Sequence, residues 1–382
     1  MVVLAVDPVS SKGEYAAAGV DYTQIQGFKD AMVQVSKTTR EFPNRRGIYI
    51  PNVPHAHGGI YSYDGSRGTC FFVNTTEGLG NKNWIAEWMY ACSGTGKSFY
   101  YGIGIDTAMM AVNDVIAQGA MPIVYTDEVA AGDSEWFSDL LRARELADGF
   151  YQACKESGMA LIAGESPALR YLINAEPPIR SAPSLSGTVT GLVAPATRLI
   201  TGEKMAVGDS ILAARSSGLH SNGVSLVIRR AMGLLEQFMT KISSNRTLGE
   251  EALIPTMSYV NLVEAWLEAG VEIHALLPGT GDGVGKLAFD KREFTYRVHS
   301  WWEEIPPLML FMRDLGVSLK DCLTTFNWGS GYYAYVPQHE VDRALQIGTD
   351  AGYDLMEVGR VEDGQRKTIF EPENITLPPP GE

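Results

Sequence analysis

Asp106, Asn113 and Asp114 stand in a segment that otherwise reads as a buried helix, among Met109, Met110, Val112, Val115 and Ile116. Acids in such company cost free energy unless something binds them. A cation carried by a phosphate ligand is a natural partner. At helical spacing Asp106 and Asn113 lie two turns apart on nearly one face, with Asp114 about 100° further round. Glu77-Gly-Leu-Gly-Asn-Lys82 follows an apolar run. Gly78 and Gly80 would let backbone N–H groups approach an anion, Lys82 would neutralise phosphate charge, and Glu77 would hold a metal. Glu165, in Ala163-Gly-Glu-Ser166, falls at the end of a strand, where α/β sheets carry ligands. Arg215-Ser-Ser-Gly-Leu-His-Ser-Asn-Gly223 joins a strand to a helix. Ser216, Ser217, Gly218, Ser221 and Asn222 supply small donors at a helix N-terminus, a composition that suits a phosphate. His220 adds a donor or an acid–base group.

Each pattern also has a plain structural reading as a cap, a turn or a solvated edge. Two others carry less. Ala91-Cys-Ser-Gly-Thr-Gly-Lys-Ser98 resembles a P-loop, but alanine stands at the first glycine and a helix-like stretch precedes it, so a surface loop is expected. His55 and His57 share a strand face without a third ligand nearby. Pro278-Gly-Thr-Gly-Asp-Gly-Val-Gly285 is a second glycine-rich turn, and its composition does not decide between approaching a ligand and turning the chain.

The elements that must position these residues alternate. Strands are expected at 47–51, 69–74, 121–126, 159–163 and 186–193, and helices at 84–92, 106–118 and 136–157. Gly119 and Gly158 serve as helix stops. Pro195 marks a junction, dividing the chain into 1–196 and 197–382. Beyond it come strands at 210–214, 273–277 and 331–336 and helices at 224–237, 259–269, 305–315 and 338–351. Two α/β layers in tandem are the expected architecture. The first forty residues read as a polar arm, and Pro378-Pro-Pro380 as a solvated tail.

A chain of 382 residues with net charge −14 is long enough for two domains and argues against nucleic acid as a partner. Four scattered cysteines fit reduced thiols in a cytosol and give no zinc motif. No stretch reaches 18 apolar residues, so no membrane partner is expected.

Taken in order, these pieces resemble the AIR synthetase family. The resemblance runs from residue 15 to about 370 through Tyr15-Ala-Ala-Ala-Gly-Val-Asp21, the Glu77 glycine loop and Gly104-Ile-Asp106 to Asn113-Asp114. It continues through Gly119-Ala-Met-Pro122, Gly164-Glu165, the 216–223 loop, Pro255-Thr256 and Phe326-Asn-Trp-Gly-Ser-Gly331. The same superfamily includes FGAM synthetase, selenophosphate synthetase, thiamine-monophosphate kinase and a hydrogenase maturation factor. The resemblance implies an N-terminal mixed sheet that pairs across a homodimer, a C-terminal α/β domain, and Mg²⁺–ATP near the dimer interface. It further implies ATP-dependent closure of an imidazole ring on a phosphoribosyl substrate, in purine biosynthesis. On that basis Glu77, Asp106, Asp114 and Asp127 would hold the metal. Gly78, Gly80, Lys82, Asp106 and Asn113 would line the nucleotide, and Ser216, Ser217, Gly218, His220, Ser221 and Asn222 the substrate. Asp114, Glu165 and His220 would act at the reacting centre.

This sequence departs from the family pattern in places. Glu77 stands for Asp, Asn81 for Thr, and Ala163-Gly-Glu-Ser166 for Gly-Gly-Glu-Thr. Pro278-Gly-Thr-Gly-Asp-Gly283 and Val284-Gly-Lys-Leu287 replace a His-Leu-Thr-Gly-Gly-Gly segment at the expected substrate end. A sister enzyme phosphorylating another small molecule, and a non-catalytic nucleotide-binding homologue, are the alternatives. Selenophosphate synthesis is disfavoured by the absence of an N-terminal cysteine.

Overall fold

The computed structural model describes residues 21–52, 59–243 and 245–381. Two sheets organise the chain. The first comprises β3 (Phe71–Leu79), β4 (Met121–Ala130), β5 (Ala160–Glu165) and β6 (Ser184–Val193), in the order β3-β6-β4-β5. The second uses β7 (Ser210–Arg215), β8 (Ala275–Pro278), β9 (Phe294–Val298), β10 (Ser330–Val336), β11 (Leu355–Asp363), β12 (Lys367–Phe370) and β13 (Ile375–Leu377), in the order β13-β12-β9-β11-β7-β10-β8. A short hairpin of β1 (Ile48–Tyr49) and β2 (Ser62–Tyr63) stands apart. The expected pair His55 and His57 lies outside the described residues.

The helix Tyr100–Val115 is apolar nearly all round and is the spine of the first unit. It crosses the helix Leu140–Ser157 with backbones touching. A Cβ on Gly104 would lie 2.5 Å from Leu146 O, and one on Gly149 would lie 2.2 Å from Tyr101 O. Only glycine at both positions permits this crossing, which fixes where Asp106 and Asp114 point. The helix ends in a 3₁₀ turn at Ile116–Gln118, with Gly119 left-handed at φ 74°. It starts six residues earlier than its acids suggest, so Asp106 lies in its interior rather than at its cap.

The supposed arm is a helix, Tyr22–Thr39, capped by Asp21, whose side chain accepts from Thr23 N at 3.0 Å. Ile25, Phe28, Met32 and Val35 recur at helical spacing and are buried. Each such side chain contributes about 1.5–3 kcal/mol, enough to dock the helix despite its polar composition. The expected 136–157 helix breaks at Asp139, which caps the second piece by accepting from Leu141 N and Arg142 N. Strands β9, β11 and β12 were not expected. Their charged positions pair instead of facing water alone, as in Arg297–Glu362 at 2.7 Å. The terminal prolines are not wholly solvated, since Pro379 is buried.

Candidate functional site

Sheet register gathers acids at the carboxyl ends of the parallel-running strands of the first sheet. Glu77 on β3 pairs across Gly187 on β6 to Asp127 on β4 and then Gly164 on β5; the next rung runs Gly78, Ser186, Glu128, Glu165. Glu77 and Asp127 are thus two strand spacings apart, about 10 Å. Glycines make room. A Cβ on Gly164 would lie 2.2 Å from Asp127 Oδ1, and one on Gly187 would lie 2.0 Å from the Tyr125 hydroxyl. The expected glycine loop is therefore partly strand, because Glu77, Gly78 and Leu79 are laddered to β6 and only Gly80 and Asn81 turn.

Glu77 points to the helix side of the sheet and meets Asp114. Their carboxyl groups lie close enough to raise the Asp114 pKa. Asp114 Oδ1 is buried without any hydrogen-bond partner. Burial, opposed by Lys286 and reinforced by Glu77, pushes Asp114 up to about 6. Asp127 is also buried with Oδ1 unpartnered, and burial, reinforced by Glu165, pushes it up to about 7. Asp127 and Glu165 line a cleft of about 290 Å³ between β5 and the 22–39 helix, together with Lys29, Met32 and Ser36.

Asp106 and Lys82 do something else. Both are fully buried, with Lys82 Nζ 2.9 Å from Asp106 Oδ1 and 2.8 Å from Oδ2. Lys82 also donates to Ile254 O at 2.8 Å. Asp106 Oδ1 accepts from Thr256 N at 2.8 Å, Thr256 Oγ1 at 2.6 Å and Ser221 Oγ at 3.3 Å. Burial pulls the Lys82 ammonium down, against the attraction of Asp106. Neither group faces an open site. The expectation that Lys82 reaches phosphate and Asp106 a metal gives way to an internal lock joining the 100–115 helix to the 254–256 segment and the 216–223 loop. Asn113 is engaged likewise, donating to Met257 O at 3.0 Å and accepting from Tyr259 N at 3.1 Å. Asp106 and Asn113 share one helix face, and that face is covered by residues 256–259.

The 216–223 loop is held from within. Ser216 Oγ donates to Asn327 Oδ1 at 3.2 Å and Ser217 Oγ to Pro255 O at 2.7 Å. Asn327 Nδ2 donates to Gly218 O at 2.9 Å. Asn327 is a residue that sequence reasoning passed over, although Phe326-Asn-Trp-Gly gave the signal: polar Asn327 is 2 % exposed between apolar neighbours. His220 has φ 57° and accepts through Nε2 from Ser217 N at 3.3 Å. Burial, with Lys82 nearby, drops it to about 3, so at neutral pH it is an uncharged strut rather than an acid. Asn222, like Ser216 and Ser217, is half-buried, and a Cβ on Gly281 would come 4.0 Å from its Oδ1. The 278–287 turn therefore abuts the loop. From that turn Lys286 donates to Thr280 Oγ1 and lies close enough to Asp114, Asp282 and Glu77 to interact with all three.

His220 gives a pH test. The unfolded chain binds this proton near pH 6.5 and the folded chain only near 3, so stability falls as pH drops through that window. The expected cost is ~1.4 kcal/mol per pH unit, or about 2 kcal/mol by pH 5. Urea midpoints at pH 7 and 5 should show this loss in the wild type and a smaller one in His220→Gln. Equal losses would place the titration elsewhere.

The loop Ser93–Ser98 is a surface turn, with Lys97 3.8 Å from Glu250. The four cysteines are free thiols. Among the described residues no three His, Cys, Asp or Glu side chains converge as a metal cage. The donor set that is present, two neighbouring carboxylates with one oxygen orphaned, fits Mg²⁺, which takes one or two carboxylates and completes its shell with water and phosphate.

Two mixed-sheet units with acids converging between them define an AIR synthase-related protein. Residues 68–193 match the pattern described as AIR synthase related protein, N-terminal domain, and residues 206–371 that of the C-terminal domain. A phosphoribosylformylglycinamidine cyclo-ligase of Thermococcus gammatolerans is 33% identical over 91% of this chain and 95% of its own length. That of Pyrococcus furiosus is 31% identical over the same shares. The chain belongs to the phosphoribosylformylglycinamidine cyclo-ligase family. The fold is shared more widely. Thiamine-monophosphate kinase from Stenotrophomonas maltophilia superposes with TM-score 0.56 at 18% identity, covering 86% of this chain and 93% of that one. Hydrogenase maturation protein HypE in complex with ATP superposes with TM-score 0.58 at 16% identity, covering 83% and 86%.

Proposed function

We propose that this protein is an ATP-dependent cyclo-ligase that converts formylglycinamidine ribonucleotide to aminoimidazole ribonucleotide. The supporting observation is the Glu77–Asp114 pair, desolvated and with an orphaned oxygen, beside a preformed loop rich in backbone donors. Glu77 and Asp114 would hold Mg²⁺, which would supply charge neutralisation for the phosphates of ATP. The substrate amide oxygen attacks the γ-phosphorus and ADP leaves. An internal nitrogen then attacks the imidate carbon, the C–O bond breaks, phosphate departs and a proton is lost. An amide oxygen is a poor leaving group until phosphorylated, and the transfer needs positioning and charge neutralisation more than covalent help.

The backbone of the 216–223 loop with Asn222 would seat the ribose phosphate, while Ser216, Ser217, His220 and Ser221 hold its shape. Gly80 and Asn81, at the exposed turn after β3, would approach the nucleotide. Asp127 and Glu165 would take up the released proton, since Asp127 is poised near neutrality. A homodimer is proposed through the outer face of the first sheet, where Phe72 is 47 % exposed in line with Asn74 and Thr76. No described helix is long and apolar enough to cross a membrane. Substrate carrying ¹⁸O in the amide should deliver the label to inorganic phosphate. Label kept in the organic product would exclude phosphoryl activation of that oxygen.

A further inference from the structure

The turn at 278–287 carries Lys286 within electrostatic reach of acids from the other unit. Thr280 Oγ1 accepts from Lys286 Nζ. Gly279 fixes the root of the turn, since a Cβ there would meet Ser330 O at 2.4 Å, and Asp282 turns the chain with φ 68°. The ammonium interacts electrostatically with the carboxylates of Asp114 and Glu77, from the other unit, and of Asp282 from its own turn. Asp114 Oδ1 and the Tyr332 hydroxyl, which lies near Asp114, are both buried without hydrogen-bond partners. A lysine cation thus interacts electrostatically with three carboxylates near two buried polar atoms that lack hydrogen-bond partners, and its turn abuts Asn222 of the 216–223 loop.

We propose that Lys286 is a substrate-contacting cation of the reaction: it balances Glu77 and Asp114 when no divalent ion is bound, and turns to a phosphoryl oxygen when a divalent ion takes those carboxylates. The assignment rests on the cyclo-ligase reading for the identity of the phosphoryl group, but not for the competition between ammonium and metal. Two cations facing one carboxylate pair repel, so each weakens the other's hold. A lysine is suited to this because its charge is compact and its stem can swing.

The test uses the full chain without nucleotide, with Mn²⁺ titrated against wild type, Lys286→Met and Lys286→Arg and free ion read by electron paramagnetic resonance. Lys286→Met should bind Mn²⁺ roughly 5- to 10-fold more tightly, by the loss of Coulombic repulsion. Lys286→Arg should stay within about twofold of wild type, because it keeps the charge. Adding Asp114→Asn to Lys286→Met should remove the tight site. ATP-dependent turnover should fall at least about 100-fold in Lys286→Met and partly return in Lys286→Arg, on the scale of a lost transition-state contact. A merely structural lysine would lower turnover without tightening Mn²⁺. Unchanged Mn²⁺ affinity in Lys286→Met, or no Mn²⁺ binding to either protein, overturns the inference. Absence of ring closure by the wild type overturns the functional reading alone, and the Mn²⁺ comparison still decides the role of Lys286.

Discussion

Asp106→Asn should destabilise the fold by about 3–5 kcal/mol, the usual cost of leaving one partner of a buried ion pair alone. Lys82 has no exposure through which to recover solvation, and among the described residues its other oxygen partner is Ile254 O. Thr256 and Ser221 donate to the same carboxylate, so the loss also frees the segment behind the 216–223 loop. Lys82→Met should fall in the same range. The double variant Lys82→Met/Asp106→Leu should cost less than the sum of the singles, because it removes both charges together and leaves neutral groups, the Thr256 and Ser221 donors and Ile254 O, to lose a partner. Urea unfolding of the four proteins measures the coupling. Single-variant losses under 1 kcal/mol would contradict the lock.

Asp114→Asn should behave in the opposite way. The carboxylate is desolvated, its Oδ1 has no hydrogen-bond partner, and Glu77 stands close by. Its folded-state value, raised to about 6, means that at pH 7 its charge opposes folding; asparagine removes that opposition. The variant is expected to be as stable as wild type or about 1–2 kcal/mol more stable. Its ATP-dependent turnover should fall at least about 100-fold, as when one preorganised charge contact is removed. Thermal unfolding and steady-state rates on one preparation test both halves. An active Asp114→Asn would remove this residue from the site, and a destabilised one would make it structural.

Much of the architecture was legible because period and punctuation agreed. Gly119, Gly158 and Gly270 end helices where expected, each left-handed, and strands β7 and β10 are runs of buried apolar residues. The 22–39 helix is hidden in the sequence because its apolar face is only Ile25, Phe28, Met32 and Val35 amid polar residues. Strands β9 and β11 were missed because their charges satisfy one another across the sheet, a pairing no local pattern reveals.

The site was half legible. Sequence marked Glu77, Asp114 and Glu165 as acids out of place, and register gathers Glu77, Asp127 and Glu165 at one end of a sheet. It could not show that Lys82 turns inward to Asp106, because a lysine after a glycine-rich turn reads as solvent-facing until the 254–256 segment closes over it. Nor could it show that Asn327 and His220 are internal struts, since their partners lie in backbone carbonyls and amides of the loop they support.

The most direct measurement is a coupled assay with purified protein, Mg²⁺–ATP and formylglycinamidine ribonucleotide, following ADP and aminoimidazole ribonucleotide together. The account predicts equal amounts of both products, each dependent on both substrates. ATP turnover or binding with no aminoimidazole ribonucleotide would contradict it and assign the phosphoryl chemistry to another small molecule.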